Sequence, residues 1–126
     1  MHHPAVRIIG RILLALIFLM SAVGKIMSFQ PTVSMVAMHH IPAPAAMTAI
    51  AIVLELVGGL MVIAGLRPAM GAVLLMIFLV VATIAIHFQD YRAATDMMAR
   101  TDQMIHIMKN ISIFGGLLYL AGSERN

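Results

Sequence analysis

Glu55 lies in the middle of a long apolar stretch of the chain. Residues 46–54 before it and 56–66 after it carry no other charged side chain. An ionisable group costs about 2.5–3.5 kcal/mol to place at the centre of a membrane, so it is usually paired and usually serves a function. A carboxylate there can accept a proton or balance a positive charge. Glu55 is therefore the best candidate for a catalytic group.

Further polar residues recur where helical periodicity would turn them towards the same interior. If the chain crosses a membrane four times, most of them lie in one half of the bundle, the outer half. We expect the ammonium groups of Lys25 and Lys109 to flank Glu55 there. This interpretation predicts a small polar pocket that opens to the outer leaflet or the periplasm. The candidate ligand-binding residues are Arg11, Lys25, Glu55, His87, His106, Lys109 and Asn110.

A simpler interpretation stays open for each of these residues. The charged groups could pair only to fix the register of the helices, because buried ionic networks can specify packing without chemistry. His87 and His106 at helix ends are weak signals when taken singly. Arg11 is typical of a lipid-headgroup anchor, although a bundle-facing role stays open. The remaining histidines are expected to face solvent: His2, His3, His39 and His40.

The composition requires a membrane. Of the 126 residues, 62% are hydrophobic and 10% are charged, whereas soluble domains have about 45–50% apolar and about 25% charged residues. A spanning helix needs about 20 apolar residues, and four windows have that length: 6–26, 46–66, 69–88 and 104–122. All five prolines lie outside them, where they interrupt no spanning helix. We predict an all-α, integral membrane, up-down four-helix bundle with one domain over residues 1–126.

The arginines indicate how the bundle is oriented. Four spans place both termini on one side of the membrane. The arginines on that side are Arg7, Arg11, Arg67 and Arg125, and those on the other side are Arg92 and Arg100. Because cytoplasmic loops carry the excess of basic residues, we predict that both termini are cytoplasmic.

The connections differ in length. Residues 28–44 contain Pro31 and a mildly apolar run, which predict a short interfacial helix that begins at Pro31. Residues 89–103 mix charges with methionines and alanines, so they either extend the adjoining helices or form a second surface helix. The Arg67-Pro68 connection is so short that it requires an antiparallel hairpin. Paired small residues predict close helix packing at Gly58, Gly59, Gly71, Ala72, Gly115 and Gly116.

Several kinds of chemistry are excluded or disfavoured. The chain has no cysteine, which excludes a thiolate nucleophile, a disulfide relay and an iron–sulfur cluster within it. Its basic residues are scattered, so nucleic acid is not an expected partner. Thirteen methionines could suit copper(I), but methionine also fills apolar cores and no tight Met-x-Met repeat occurs. We expect no metal site and no covalently bound cofactor.

The order and spacing of these motifs resemble the DoxX family of small bacterial four-helix membrane proteins. The likeness covers nearly the whole chain and rests on Gly10-Arg11 to Gly24-Lys25, Leu54-Glu55-Leu56 with Gly58-Gly59, Phe78 to His87, and Lys109-Asn110 with Gly115-Gly116. The resemblance implies an inner-membrane location and a link to quinone-associated sulfur oxidation and membrane oxidoreductase complexes. The family's recurring polar positions look like Arg11, Lys25, Glu55, His87, Lys109 and Asn110 here.

Three functional hypotheses follow. The leading one is an oxidoreductase-associated subunit that binds a small polar-headed ligand, with a quinone as the candidate, in the outer half of the bundle. Since the chain has no redox centre of its own, that centre would come from a partner protein or a cofactor. The second hypothesis is a non-catalytic adaptor or assembly factor whose outer loops dock partner proteins. The third is a small transporter, although four unbroken helices without a repeat suit that role only in a homo-oligomer.

Overall fold

The computed structural model describes residues 3–124, and within that range the chain forms helices and no strands. The helices are α1 (Pro4–Met27), α2 (Phe29–Met38), α3 (Pro44–Ala64), α4 (Pro68–Ala82), α5 (Phe88–Ala93) and α6 (Met97–Ser123). A π-helical turn at Thr83–His87 joins α4 to α5 without a break. Pro68–Ala93 is therefore one continuous helix.

Four helices are long and apolar enough to cross a membrane: Pro4–Met27, Pro44–Ala64, Pro68–Ala93 and Met97–Ser123. We number them the first to fourth spans, and they contain the four predicted windows almost completely. Many of their large apolar side chains point outward, with Leu13 65% and Val81 60% exposed. Such a surface is stable in lipid and costly in water. The predicted all-α membrane-spanning four-helix bundle is confirmed.

The spans pack in an up-down order. Helix α3 packs extensively on both α1 and α4, and α4 packs on α6, whereas α1 and α6 meet over a short stretch. At one end of the bundle, Glu124 forms ion pairs with Arg7 and Arg11. We call this the terminal end, because the first and last turns of the described chain meet there, and we call the opposite end the loop end. The apolar core is formed by Ala15, Phe18, Val62, Ala72, Leu75, Leu79, Leu117 and Leu120.

The two loop-end connections have different structures. Helix α2 begins at Phe29, two residues before the predicted start at Pro31, and its first turn includes that proline, where a missing amide costs little. The fourth span begins at Met97, because the side chain of Asp96 accepts a hydrogen bond from the Ala99 amide at 2.7 Å. Residues 89–103 thus extend the two adjoining helices, which was one of the two predicted alternatives.

Glycines bring the backbone of α3 into contact with its neighbours. A Cβ on Gly58 would lie 3.0 Å from the carbonyl oxygen of Gly71, and a Cβ on Gly71 would lie 2.9 Å from that of Gly58. A Cβ on Gly59 would lie 2.7 Å from the side chain of Leu19. The predicted close packing is confirmed at these positions. It is wrong for Gly115, where a Cβ would meet nothing within 4 Å.

Replacing Gly58 with alanine should destabilise the bundle by about 1–3 kcal/mol, because the new methyl group meets a backbone carbonyl that cannot move aside. Gly115→Ala is the matched control, and we expect it to be neutral or to stabilise the helix by up to about 1 kcal/mol. The midpoint of SDS-induced unfolding, followed by circular dichroism on detergent-solubilised protein, measures both effects. Equal midpoints for the two variants would contradict the close contact of α3 and α4.

Candidate functional site

Glu55 of α3 is paired with Lys25 of α1. The Lys25 Nζ lies 2.8 Å from Glu55 Oε1, and the glutamate side chain is 1% exposed. Lys25 also donates a hydrogen bond to the Ser21 hydroxyl at 2.7 Å. Its ammonium lies 5.2 Å from the ring centroid of Phe78 on α4, which is a favourable cation–π contact. The first three spans thus meet at one charged group.

The position of this ion pair offsets α3 from α1. Lys25 is two residues before Met27, the end of α1, whereas Glu55 is 11 residues (55 − 44) after Pro44, or about 16 Å along α3. Since the two side chains touch, α3 projects beyond α1 at the loop end. Helix α2 packs beside this projection.

A cavity of about 530 Å³ lies between α2 and the loop-end halves of the spans. Its walls are mostly apolar, and α2 contributes Thr32, Met35 and Val36 to them. Small-molecule sites commonly have volumes of about 300–1,000 Å³ and a few polar groups in an apolar lining. The polar and ionisable lining residues are Ser21, Lys25, Thr32, Thr48, Glu55, His87 and Asn110.

The cavity extends to the lipid-facing surface of the bundle. Ile50 of α3 and Ile77 and Val81 of α4 line it, and each of these side chains is at least half exposed. We call the place where these exposed side chains line the cavity the lateral opening, because a lipid-soluble molecule would reach Lys25 and Glu55 from there.

The third span changes its helical geometry beside this cavity. Thr83, the first residue of the π-helical turn, accepts a hydrogen bond from Asn110 Nδ2 at 3.0 Å. Its own hydroxyl donates to the carbonyl oxygen of Leu79 at 2.7 Å. Turns of this kind insert a residue into a helix and occur often at functional sites. Here the turn ends at His87, which lines the cavity.

His87 is held by two residues of the fourth span. Its Nδ1 lies 3.1 Å from Gln103 Oε1, and its ring stacks on that of His106 with centroids 5.0 Å apart. With the amide oriented in this way, Nδ1 carries the proton and Nε2 of the neutral ring is an acceptor. His106 does not line the cavity, and its Nε2 lies 3.7 Å from Asp102. Of these two histidines, His87 alone offers a base to the cavity.

Lys109 lies outside the cavity. It is exposed and is not a lining residue, so the expectation that it flanks Glu55 is wrong. Adjacent residues of a helix point about 100° apart, and the neighbouring Asn110 takes the interior position. The buried residues of the fourth span are Ile107, Asn110, Leu117 and Leu120.

Arg11 also lies away from the cavity, at the terminal end. It is 14 residues (25 − 11) and about 21 Å along α1 from Lys25. Its Nη1 lies 3.7 Å from Glu124 and packs beside Gly65, which ends α3 with a φ of 72°. Arg11 therefore faces the bundle and helps to close its terminal end.

The other histidines differ from one another. His3 accepts a hydrogen bond from the Ala5 amide and caps α1, and His40 is exposed. The expectation that His39 faces solvent is wrong, because its side chain is only 12% exposed. Its Nδ1 lies 2.7 Å from the Met35 carbonyl oxygen and its Nε2 lies 2.7 Å from Asp90 Oδ1. His2 and Arg125 lie outside the described residues.

Sequence reasoning missed Ser21, Gln103 and the contact between His39 and Asp90. Ser21 had a readable signal, because it precedes Lys25 by one helical turn. The other contacts join residues on different helices, for which a single sequence offers no local signal. Residues 3–124 contain no cluster of three or more histidine or acidic side chains that could hold a metal ion.

Comparison with known proteins agrees with this architecture. The family model described as DoxX matches residues 6–88, which include Lys25, Glu55 and His87. "Inner membrane protein YphA" of Escherichia coli (strain K12) is 33% identical over 119 residues, which cover 94% of this chain and 82% of YphA. No solved structure matches the chain. From its family match and its similarity to YphA, the chain belongs to the DoxX family.

Proposed function

We propose that this protein is an inner-membrane subunit that binds an amphiphilic ligand, with a quinone as the leading candidate. The ligand has an oxygen-bearing head and an apolar tail. The observation that carries the proposal is the cavity of about 530 Å³, because it combines apolar walls, one polar cluster and an opening to lipid. A lipid-soluble ligand with a polar head matches all three properties.

Three side chains are suited to hold the head group. Lys25 and the second amide hydrogen of Asn110 are donors for a ligand oxygen, and both residues line the cavity. His87 Nε2 is an acceptor for a ligand hydroxyl, and it has no hydrogen-bond partner among the described residues. Glu55 balances the charge of Lys25. A quinone offers two carbonyl oxygens or, when reduced, two hydroxyl groups to this set.

The tail of the ligand would leave through the lateral opening. Ile50, Ile77 and Val81 surround that opening with apolar surface. Burial of apolar area contributes about 25 cal/mol per Å² to binding before entropic costs. The tail would therefore supply affinity, and the polar cluster would supply orientation.

A bound quinone would supply the redox chemistry, and the residues of this chain would bind it, orient it and move a proton. His87 Nε2 is placed to take a proton from a ligand hydroxyl. The ring of His106, which stacks on His87, is 39% exposed, so this base lies near the loop-end surface, where water would take up the proton. Electrons would have to reach the ligand from a partner protein, so we place this chain beside a membrane oxidoreductase.

We place both termini in the cytoplasm. The ion pairs of Glu124 with Arg7 and Arg11 support a common end for the termini, and the described arginines of that end favour the cytoplasmic side. YphA is described as an inner membrane protein. In this orientation the cavity lies in the periplasmic half of the membrane.

A second function, the docking of a partner protein, has one specific observation in its favour. Met38, Met97 and Met98 lie at the loop end, and each is more than three-quarters exposed. Methionine side chains adapt to varied partners at binding surfaces. An adaptor or assembly factor would use this surface instead of the cavity.

Mass spectrometry of small molecules that co-purify after gentle detergent extraction tests the ligand. We expect a quinone-class molecule with the wild-type protein and at least about tenfold less with Glu55→Gln, since a loss of about 1.4 kcal/mol is tenfold in affinity. Removing the carboxylate disrupts the hydrogen-bonded position of Lys25. Glu124→Gln is the matched control, because it changes a glutamate at the terminal end, and it should retain the ligand.

A second pair of variants locates the ligand. Ala51 lines the cavity, so Ala51→Phe should fill the space and expel the molecule, whereas Leu60→Phe alters a lipid-facing residue and should not. If the molecule is lost from Ala51→Phe but retained by Glu55→Gln, the cavity is the binding site and Glu55 has no part in binding. No bound molecule in the wild-type protein would contradict the proposal and direct the search to protein partners.

The contribution of the ion pair to stability can be separated from its role in binding. Lys25→Met should destabilise the bundle by about 3–5 kcal/mol, because it leaves a buried carboxylate without its cation. The double variant Lys25→Met/Glu55→Leu should recover most of that loss, since no unpaired charge remains. SDS unfolding midpoints measure the stability of each variant, and additive losses would show that the residues are not coupled. We expect the double variant to be stable and unable to bind ligand.

A further inference from the structure

We propose that α2 is a hinged lid over the cavity, and that the contact between His39 and Asp90 is a latch that closes the lid when His39 is protonated. The proposal goes beyond ligand binding, and it does not depend on the identity of the ligand.

The packing of α2 is typical of an element that can move. None of its residues is buried, although Thr32, Met35 and Val36 line the cavity. It packs on α3 and only slightly on α1. Non-helical residues flank it on both sides, at Ser28 and at 39–43. Movement of α2 would therefore expose the cavity without disturbing the packing of the four spans.

The C-terminal end of α2 is tied to the third span by a small set of polar contacts. His39 Nε2 contacts Asp90 Oδ1 at 2.7 Å, and the Gln89 side chain donates to the carbonyl oxygen of His39 at 3.1 Å. Gln89 also donates to the Ala85 carbonyl oxygen at 2.8 Å, which fixes its orientation. These contacts join the lid to the opposite wall of the cavity.

The chemistry of the latch requires the charged form of His39. Its Nδ1 faces the carbonyl oxygen of Met35 and its Nε2 faces a carboxylate oxygen of Asp90. Both oxygens are acceptors, so both ring nitrogens must carry a proton to satisfy them. A neutral imidazole has one proton and would leave one nitrogen lone pair against an oxygen. Loss of one proton therefore removes the ionic attraction between His39 and Asp90 and costs one of the two hydrogen bonds, which weakens the latch.

Few other charged groups can influence this latch. His40 is adjacent but exposed, and within residues 3–124 the charged side chain that contacts the His39 ring is that of Asp90. Other titratable groups lie on the elements around α2 but form no ion pair with His39 among the described residues. Lys25 and Glu55 pair with each other, His87 is bonded to Gln103, and Arg92 is exposed.

The direction of the pH response follows from the same contacts. The hydrogen bond to the Met35 carbonyl, followed by the interactions with Asp90, raises the pKa of His39 above its ordinary value of 6.5, against the opposing effect of burial. A raised pKa means that the latch is fully formed below the ordinary value and is lost as the pH rises through the raised one. The lid is therefore closed in acid and released in alkali.

Distance measurement between two spin labels tests the lid directly. The chain has no cysteine, so Met38→Cys on α2 and Ala93→Cys on the third span give two unique labelling sites, and both positions are exposed. Double electron–electron resonance on the protein in lipid nanodiscs compares about pH 5 with about pH 9, on either side of histidine titration. We expect a single short distance in acid and a longer, broader distribution in alkali.

Three variants assign the response to the latch. His39→Gln should give the same distribution at both pH values, because the glutamine side chain does not titrate. Asp90→Asn should already show the longer distances in acid, since the ionic contact is missing. His40→Gln is the matched control and should behave like the parent protein. A parent distribution that does not change with pH, or a change that persists in His39→Gln, would overturn the proposal.

Discussion

The structure depends on the cost of keeping Glu55 charged inside a membrane. The carboxylate is almost completely buried, and its pairing with Lys25 offsets part of that cost. Contact between the two side chains fixes the register of α1 against α3, and the close approach of Gly59 to Leu19 holds the same two helices together. Because the pair lies near the end of α1 but well inside α3, this register makes α3 project beyond α1. The projection creates the space that α2 covers.

Tight packing at one end of the bundle permits the cavity at the other. Helices α3 and α4 touch backbone to backbone at Gly58 and Gly71, and the buried residues of the third span all lie between Pro68 and Leu79. Beyond Leu79 no residue of the third span is buried, and residues of its π-helical turn line the cavity. The closely packed half, between Pro68 and Leu79 of the third span, stabilises the bundle. The more loosely packed half contains the cavity and α2, for which we propose ligand binding and a lid.

The sequence predicts the features that depend on hydropathy and on the distance of a residue from the end of its helix. It does not predict which of two adjacent residues faces the interior, or which residues of different helices touch. The four spans and the convergence of Lys25 with Glu55 followed from apolar length and residue position. The prediction for Lys109 is wrong because helical periodicity does not distinguish it from its neighbour Asn110, which lies close to the same face. In the structure Asn110 is the buried residue of the two, and it donates a hydrogen bond to Thr83 of the third span. Asp96 could have marked the start of the fourth span, since it is a typical N-cap residue. The contact of His39 with Asp90 joins residues 51 positions apart, which no local pattern encodes.

An ion pair that served packing alone would explain only part of this site. Fixing the register of α1 and α3 requires Lys25 and Glu55, and an apolar core around them would be more stable than a cavity of about 530 Å³. Packing alone also gives no reason for Gln103 to hold the His87 ring so that its Nε2 is left without a partner among the described residues. It would also not require a lid whose closing contact depends on a proton. These features share one cavity, and a ligand with a polar head gives a common reason for all of them.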